Sequence, residues 1–390
     1  MGITKVAVIG IGNIGSAHAE CIMSKKIDGM ELTEVCDIEI EKLKKFKNNE
    51  NITTYTDYRQ MLNSCLADTV IIAVPHRLHA EIAEEVLKRG KNVLVEKPVD
   101  ISVSKALHLN SVAKKSGKFF GIMFNQRTDS LFSKAREIVK SGKIGELKST
   151  VWIITNWYRT QSYYNSGSWR ATWAGEGGGV LLNQAPHNLD LWQWICGMPK
   201  SVIGYCDIGK YHNIEVEDSA RLITKFENGA HGIFITSTGE YPGTNRLEIS
   251  GDLGKIVLEN GTLKWWRLKS SSQEVSNFSE SSFAEIDSEF TEYKKESNYE
   301  THKIILQNFA NAVLYGESLI APGTDGIYEL MLSNAAYLSH WKGNVEVRLP
   351  FDNNEFDRLL NEKIQYSKYV PEKSIVMGSG MYADRWKVKW

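Results

Sequence analysis

The sequence lacks several things, and each absence excludes a class of function. No apolar run approaches the ~20 residues that a bilayer-spanning helix needs, which excludes a membrane span. There is no excess of one charge: the net charge of -1 argues against nucleic acid or an anionic membrane surface as partner, since both call for a clear basic surplus. Cysteines are few and scattered, at Cys21, Cys36, Cys65, Cys196 and Cys206. An odd set without a C-x-x-C pair excludes a disulfide framework and fits reduced, buried thiols in a cytoplasmic protein. The N-terminus shows no signal-peptide pattern, because "KVAVIGIG" from Lys5 already reads as a first strand. No internal repeat is present.

What is there is 390 residues of ordinary globular composition, too long for one core, so two domains are expected. Short apolar strands alternate with amphipathic helices over residues 1–124. Strands are predicted at Lys5–Ile9, Leu32–Cys36, Thr69–Val74, Asn92–Val95 and Phe119–Phe124. Helices are predicted near Ile14–Lys25, Ile38–Phe46, Tyr58–Leu62, His79–Arg89 and Ser102–Ser116. That alternation means a parallel sheet covered on both faces.

The pattern changes after Arg127. A helix at Ser130–Lys140 leads into a long alternating strand within "GELKSTVWIITNWY". Strands with hairpin spacing follow at Ser201–Ile208, Ser219–Phe226, Ala230–Ser237, Asn245–Ser250, Lys255–Glu259 and Thr262–Arg267. A second, α+β domain with a mostly antiparallel sheet is expected over residues 125–350. It closes with helices Tyr299–Tyr315 and Asp325–His340 and a strand at Val345–Leu349. Residues 270–297, rich in Ser and Glu, read as a surface excursion. Residues 351–390 form an extension whose aromatic content implies docking on its own domain or on a neighbouring subunit.

"KVAVIGIGNIG" carries G-x-G-x-x-G between a strand and a helix: Gly10, Ile11, Gly12, Asn13, Ile14, Gly15. Gly10 permits the tight turn, Gly12 the approach of a pyrophosphate, and Gly15 close packing of helix on sheet. The helix N-terminus then faces the phosphates with free N–H groups. Asp37 lies 22 residues after Gly15, where a carboxylate accepts from ribose hydroxyls; Ile38, Glu39, Ile40 and Glu41 follow, so NAD is expected rather than NADP. Val74, Pro75, His76 and His79 follow a later strand and are expected along the cofactor crevice. His76 and His79 form H-x-x-H, but with no Cys or carboxylate partner in sequence they predict cofactor contact or capping, and no metal.

"VEKPVD" puts Glu96, Lys97 and Pro98 at the carboxyl end of the next parallel strand. A lysine there can donate to a substrate hydroxyl that is becoming a carbonyl, and partial burial lowers its pKa toward proton transfer. Glu96 is expected to fix its position. "EGGGVLLNQAPHNLDLWQW" supplies a triple glycine, Gly177–Gly179, then Asn183, Pro186, His187 and Asp190. Pro186 suits a first helical turn, and His187 and Asp190 share a helix face, with Asn183 turned in toward them. A histidine beside a nicotinamide is the expected general base for an alcohol.

With GIGNIG at 10–15, Glu96-Lys97-Pro98, "FNQR" at 124–127 and the glycine–histidine segment at 177–192, the chain resembles the Gfo/Idh/MocA family of NAD(P)-dependent sugar and cyclitol oxidoreductases over residues ~1–350. The resemblance implies an α/β Rossmann domain followed by a large open sheet, with the active site between them. It also implies homo-oligomers, dimers or tetramers, paired through the outer sheet faces. It makes Lys97 and His187 the catalytic lysine and histidine, with Asn183 beside them. It places Asn125 and Arg127 near nicotinamide and substrate, and Trp169 and Arg170 as a pair approaching the cofactor from the second domain. Many relatives carry Asp at the position of Asn183. An amide orients a ring but brings no charge, which leaves the division of proton traffic between His187 and Lys97 open.

Three functions compete. The first is an NAD-dependent dehydrogenase acting on a ring hydroxyl of a sugar, glycoside or cyclitol. Substrate would meet Lys97, Arg127, Tyr158, Asn183 and His187, and the aromatic run Trp157, Tyr158, Tyr163, Tyr164, Trp169 and Trp173 would stack on a sugar face. The second is a redox-assisted glycosidase that regenerates NAD in place. The third is a non-catalytic NAD-binding sensor, which the presence of Lys97 and His187 argues against.

Overall fold

The first apolar runs build a parallel sheet. Its strands are β1 (Thr4–Ile9), β2 (Met30–Cys36), β3 (Thr53–Tyr55), β4 (Thr69–Ile72), β5 (Asn92–Val95) and β6 (Phe120–Ile122). The computed structural model describes residues 2–167, 169–295 and 300–368. The strands run in the order β3-β2-β1-β4-β5-β6, the doubly wound arrangement, with the order reversing between β1 and β4. Every residue of β4 and β5 is buried, as a central strand covered on both faces requires. Helices α1 (Asn13–Met23), α2 (Ile40–Leu43), α3 (Tyr58–Ser64), α4 (His79–Lys88) and α5 (Val103–Ser116) make the crossovers. Of the helix expected over Ile38–Phe46 only the single turn α2 forms as α-helix, and β3 is an edge strand too short to leave a sequence pattern.

After α6 (Ser130–Lys140) the chain builds a nine-stranded sheet. Its strands are β7 (Leu147–Ile154), β8 (Ser201–Ile208), β9 (Glu217–Lys225), β10 (His231–Ser237), β11 (Asn245–Gly251), β12 (Gly254–Glu259), β13 (Thr262–Leu268), β14 (Ser288–Lys294) and β15 (Val347–Arg348). The order is β14-β13-β12-β11-β7-β10-β9-β8-β15, and every pairing is antiparallel except β7 with β10. Alternation fits one covered face: Trp152 and Ile154 point inward, Val151 and Ile153 outward. The segment 270–297 is not a bare excursion, since it contains helix α9 (Ser272–Phe278) and β14, which adds an edge strand in register with β13.

The described residues also hold helices α7 (Gln161–Tyr164), α8 (Pro186–Cys196), α10 (Thr301–Tyr315), α11 (Gly326–Trp341) and α12 (Asn353–Gln365). On the inner sheet face Trp192 of α8 packs its ring 5.5 Å from Phe234 and donates to Thr150 Oγ1 at 3.1 Å. Helix α11 ties the second sheet to the first domain. Its Ser339 hydroxyl accepts from Gly204 N at 2.9 Å, while its Asn334 side chain accepts from Val103 N at 3.1 Å and donates to Ile101 O at 3.2 Å. Thus the segment after Lys97 and the sheet of the second domain hang on one helix. The extension docks on its own chain, where Asp357 of α12 accepts from Ser102 and Ser104 at the start of α5. The remainder of it, including "YADRWKVKW", lies outside the described residues. Among the described residues no helix is long and apolar enough to cross a membrane.

Candidate active site

The carboxyl ends of β1, β4 and β5 meet at the point where the strand order reverses. Gly10 follows β1 with φ 91°, and a Cβ there would sit 2.4 Å from Ala73 O. At Gly15 a Cβ would sit 1.8 Å from Gly10 O, so only glycine lets α1 start on the turn itself. Gly12 is open, with no atom within 4 Å of a built Cβ, and as the residue preceding α1 it offers no side-chain cap. The first N–H groups of α1 therefore stay available to an anion. Asp37 accepts from Ile11 N at 2.7 Å and Glu39 N at 2.9 Å, which fixes its carboxylate against the glycine turn with lone pairs to spare for hydroxyl donors. Lys42 stands 3.7 Å from Asp37 but closes on Glu39 at 2.6 Å.

Asn125 supplies a further fit. Its Nδ2 donates to Thr301 Oγ1 at 2.7 Å and approaches His302 Nδ1 at 3.2 Å, while its Oδ1 is buried without a partner. A buried orphan acceptor suits an amide donor such as a carboxamide NH2. Together the open turn, the uncapped helix, the fixed Asp37 and the orphan Asn125 Oδ1 fit a dinucleotide.

The two histidines after β4 serve the fold. His79, expected at the cofactor, instead lies between two carbonyls: Nδ1 is 2.6 Å from Pro98 O and Nε2 2.7 Å from Val74 O. It ties the loops after β4 and β5 together, and burial outweighs both carbonyls in holding its pKa down. His76 Nδ1 is 3.2 Å from Glu176 O, and its ring lies 5.4 Å from that of Trp169, edge-on. It therefore latches the loop of the second domain that carries Trp169 and Arg170. The Arg170 guanidinium lies over the Tyr163 and Trp169 rings, 4.7 and 4.6 Å from their centroids. Among the described residues no group of three His, Cys, Asp or Glu side chains is placed to hold a metal ion.

Lys97 and the triple-glycine segment converge. The Lys97 ammonium donates to Asn183 O at 2.8 Å. Burial lowers its pKa against the resistance of Glu96, Tyr163, Glu329 and Glu176. The Lys97–Pro98 peptide bond is cis. Glu96, expected to position the lysine, accepts from Lys97 N at 3.3 Å through Oε2, while its Oε1 pairs with His18 Nε2 of α1 at 2.8 Å. Burial works against its ionisation, but the His18 bond, with His302 and Lys97 nearby, holds the carboxyl down to about 2.

The glycines let this segment approach the second sheet. A Cβ on Gly179 would sit 1.9 Å from Glu217 O, and the buried Glu217 carboxylate accepts from Gly179 N and Leu181 N at 2.9 Å each and from the Tyr337 hydroxyl at 2.7 Å. His187 then enters on the first turn of α8. Its Nδ1 is buried without a partner, and burial, with Lys97 close by, pushes its pKa well below the usual value. Both effects hold the imidazole toward its neutral form.

Three expected contacts are redirected. The Asn183 amide does not orient His187; its Nδ2 donates to the buried Glu176 carboxylate. Asp190 holds Arg127 in a two-point ion pair at 2.6 and 2.8 Å, and the third Arg127 nitrogen donates to Asp325 at 2.7 Å. With its side chain 1% exposed, Arg127 has no surface for a substrate. Tyr158 is half exposed, and its ring lies 5.5 Å from that of Tyr241. Residues missed in the sequence are Glu176, Glu329, His18 and His302, although the Glu directly before the triple glycine was a usable signal.

Comparison with known proteins agrees with this geometry. Residues 4–124 match the oxidoreductase family with an NAD-binding Rossmann fold, and residues 132–257 match the GFO/IDH/MocA C-terminal domain. The chain belongs to the GFO/IDH/MocA family. Its first domain is an NAD-binding Rossmann domain, and the protein is an oxidoreductase. It is 28% identical over 265 residues to the myo-inositol 2-dehydrogenase of Thermotoga maritima, covering 66% of this chain and 75% of that protein. It is 26% identical over 277 residues to glycosyl hydrolase family 109 protein 1 of Shewanella sp., covering 66% of this chain and 56% of that one. Among solved structures, the WlbA dehydrogenase from Chromobacterium violaceum, in complex with NADH and UDP-GlcNAcA, superposes with a TM-score of 0.77 at 25% identity, over 90% of this chain and 97% of that one.

Proposed function

We propose that this GFO/IDH/MocA protein is a dehydrogenase that oxidises a ring CH–OH of a sugar, glycoside or cyclitol to the ketone. The observation that carries the proposal is an unpartnered His187 Nδ1, on an imidazole held toward its neutral form, close to the Lys97 ammonium that donates to Asn183 O. The glycine turn, the N-terminus of α1, Asp37 and Asn125 would hold NAD, which when bound accepts the hydride from the carbinol carbon. His187 takes the hydroxyl proton. Lys97 donates to the same oxygen and stabilises the charge that develops as the carbonyl forms. The proton leaves to solvent, so alcohol plus NAD+ gives ketone plus NADH plus H+. Arg127 acts by bracing α8 through Asp190. The similarity to a myo-inositol dehydrogenase supports the cyclitol or sugar class of substrate. Purified protein with NAD+ and a panel of sugars, glycosides and inositols, read by NADH absorbance, tests the proposal.

The similarity to a glycosyl hydrolase supports a second reading, in which the oxidation is transient and an aglycone is eliminated before the hydride returns. Aglycone release without net NADH would favour it.

The protein works, on this reading, as a cytoplasmic homo-oligomer. All five cysteines are free thiols, as a reducing compartment requires. The outer face of the large sheet carries a cross-strand apolar row, Ile203, Ile223, Ile233 and Val151, exposed at Ile223 and only partly covered along the rest. Ile223→Glu should shift the mass measured by light scattering toward the monomer.

A further inference from the structure

We infer that Glu176 is a positioning residue of this dehydrogenase site: its carboxylate fixes Asn183, whose carbonyl holds the Lys97 ammonium, and it supplies from position 176 the negative charge that Asn183 does not. The inference rests on the dehydrogenase reading above. Glu176 is 1% exposed, and it bonds three pieces of the site at once. Oε1 accepts from Asn183 Nδ2, Oε2 accepts from Ala171 N at 2.8 Å, and its main-chain carbonyl meets His76 Nδ1 at 3.2 Å. Ala171 has φ 59°, a conformation unfavourable for a residue with a Cβ. The same carboxylate therefore restrains the loop that carries Trp169 and Arg170.

Other acidic groups around Lys97 are differently occupied. Glu96 pairs with His18 through Oε1 and accepts from Lys97 N at 3.3 Å through Oε2; its charge also favours the ammonium, but it does not bond Asn183. Glu329 of α11 has both oxygens buried without a partner, and burial pushes its carboxyl well above the usual range, toward the neutral form. Tyr163 faces the lysine from α7, and His187, His302, His76 and His79 face it from α8, α10 and the end of β4. Among the described residues, Glu176 is the carboxylate hydrogen-bonded to the residue that grips the ammonium. Burial raises its carboxyl above the usual range, while Arg170, the two N–H donors and Lys97 pull it back toward the ionised form.

A mere loop brace would make the same bonds, so the test reads charge. Full-length protein with 13C-labelled lysine is titrated by NMR, with the Lys97 signal assigned by its loss in Lys97→Met. Glu176→Gln should lower the Lys97 midpoint by about one pH unit, since it removes a nearby opposite charge. Asn183→Asp in the Glu176→Gln background should bring the midpoint back, and Asn183→Asp alone should raise it above wild type. Turnover should follow: kcat falls about 10–100-fold in Glu176→Gln, with a small change in KM, and recovers in the double variant. If Glu176→Gln does not fold, Asn183→Asp alone carries the test. A Lys97 midpoint unmoved by Glu176→Gln or by Asn183→Asp, or a double variant no closer to wild type than Glu176→Gln, overturns the inference. Absence of NADH formation by the wild type would instead overturn the functional reading and leave the titration series standing.

Discussion

Replacing Lys97 by Met removes a buried ammonium and keeps a side chain of similar length. Two opposing effects on stability follow. The charge no longer has to be desolvated, but Asn183 O loses its 2.8 Å donor, which costs about 1–3 kcal/mol for a buried acceptor left unmet. The variant should therefore fold with a similar melting temperature near neutral pH. Its pH dependence should change. The folded pKa of Lys97 is lowered, so the unfolded chain binds more protons between that value and the ordinary lysine value. Wild-type stability thus gains as pH rises through this window, and Lys97→Met should not show that gain. The chemical step loses a charged donor at the reacting oxygen, about 2.7–4 kcal/mol or about 10²–10³-fold in kcat. With NAD held as proposed by the glycine turn, Asp37 and Asn125, its Kd should move less than about threefold, well under the 1.4 kcal/mol of a tenfold change. Steady-state NADH formation and calorimetric NAD titration on one preparation measure both quantities. Turnover within about threefold of wild type would refute the role given to Lys97. Parallel loss of NAD affinity would show that the lysine holds cofactor instead.

Further outcomes follow from other buried groups. Glu329→Met should raise the melting temperature at neutral pH, because a carboxyl whose folded pKa is raised loses stability as pH climbs from about 4.3; the gain over wild type should grow by about 1.4 kcal/mol per pH unit in a melting series. A variant less stable than wild type throughout would mean the carboxyl has a partner. Arg127→Met should leave Asp190 and Asp325 without their cation and cost about 3–5 kcal/mol in denaturant unfolding. A change confined to KM would return Arg127 to the substrate. Gly179→Ala should cost about 1–3 kcal/mol, since its Cβ would meet the Glu217 carbonyl, and turnover should fall with the displaced Asn183. Asp37→Ala should weaken NAD binding about tenfold or more by calorimetry, from the loss of a charged acceptor worth about 1.5–3 kcal/mol.

The fold was legible where burial imposes a pattern. Central strands such as β4 and β5 are continuous apolar runs, and β7 alternates because one of its faces is covered. Strand β14 was not legible: every residue of it stays at least partly exposed, so "SEFTEYK" carries no core signal and is recruited by its register with β13. At the site, residue types and spacing located Lys97, Asn183 and His187, which the fold brings together across 86 residues of chain in the bond from Lys97 to Asn183. Side-chain direction was not legible. Glu96 turns to His18, 78 residues away, and Arg127 to Asp190, 63 residues away, because a buried charge goes to the partner that tertiary packing offers it. Asn183 turns to Glu176 because that buried carboxylate needs donors.

The central claim is hydride transfer from a carbinol carbon to NAD. The most direct measurement incubates the full-length protein with NAD+ and each of a panel of inositols, sugars and glycosides, and follows NADH absorbance alongside mass analysis of the product. The account predicts NADH and a ketone two hydrogens lighter than the substrate, formed in equal amounts with at least one of them. NAD binding with no NADH from any CH–OH substrate, or aglycone release with none, would contradict it.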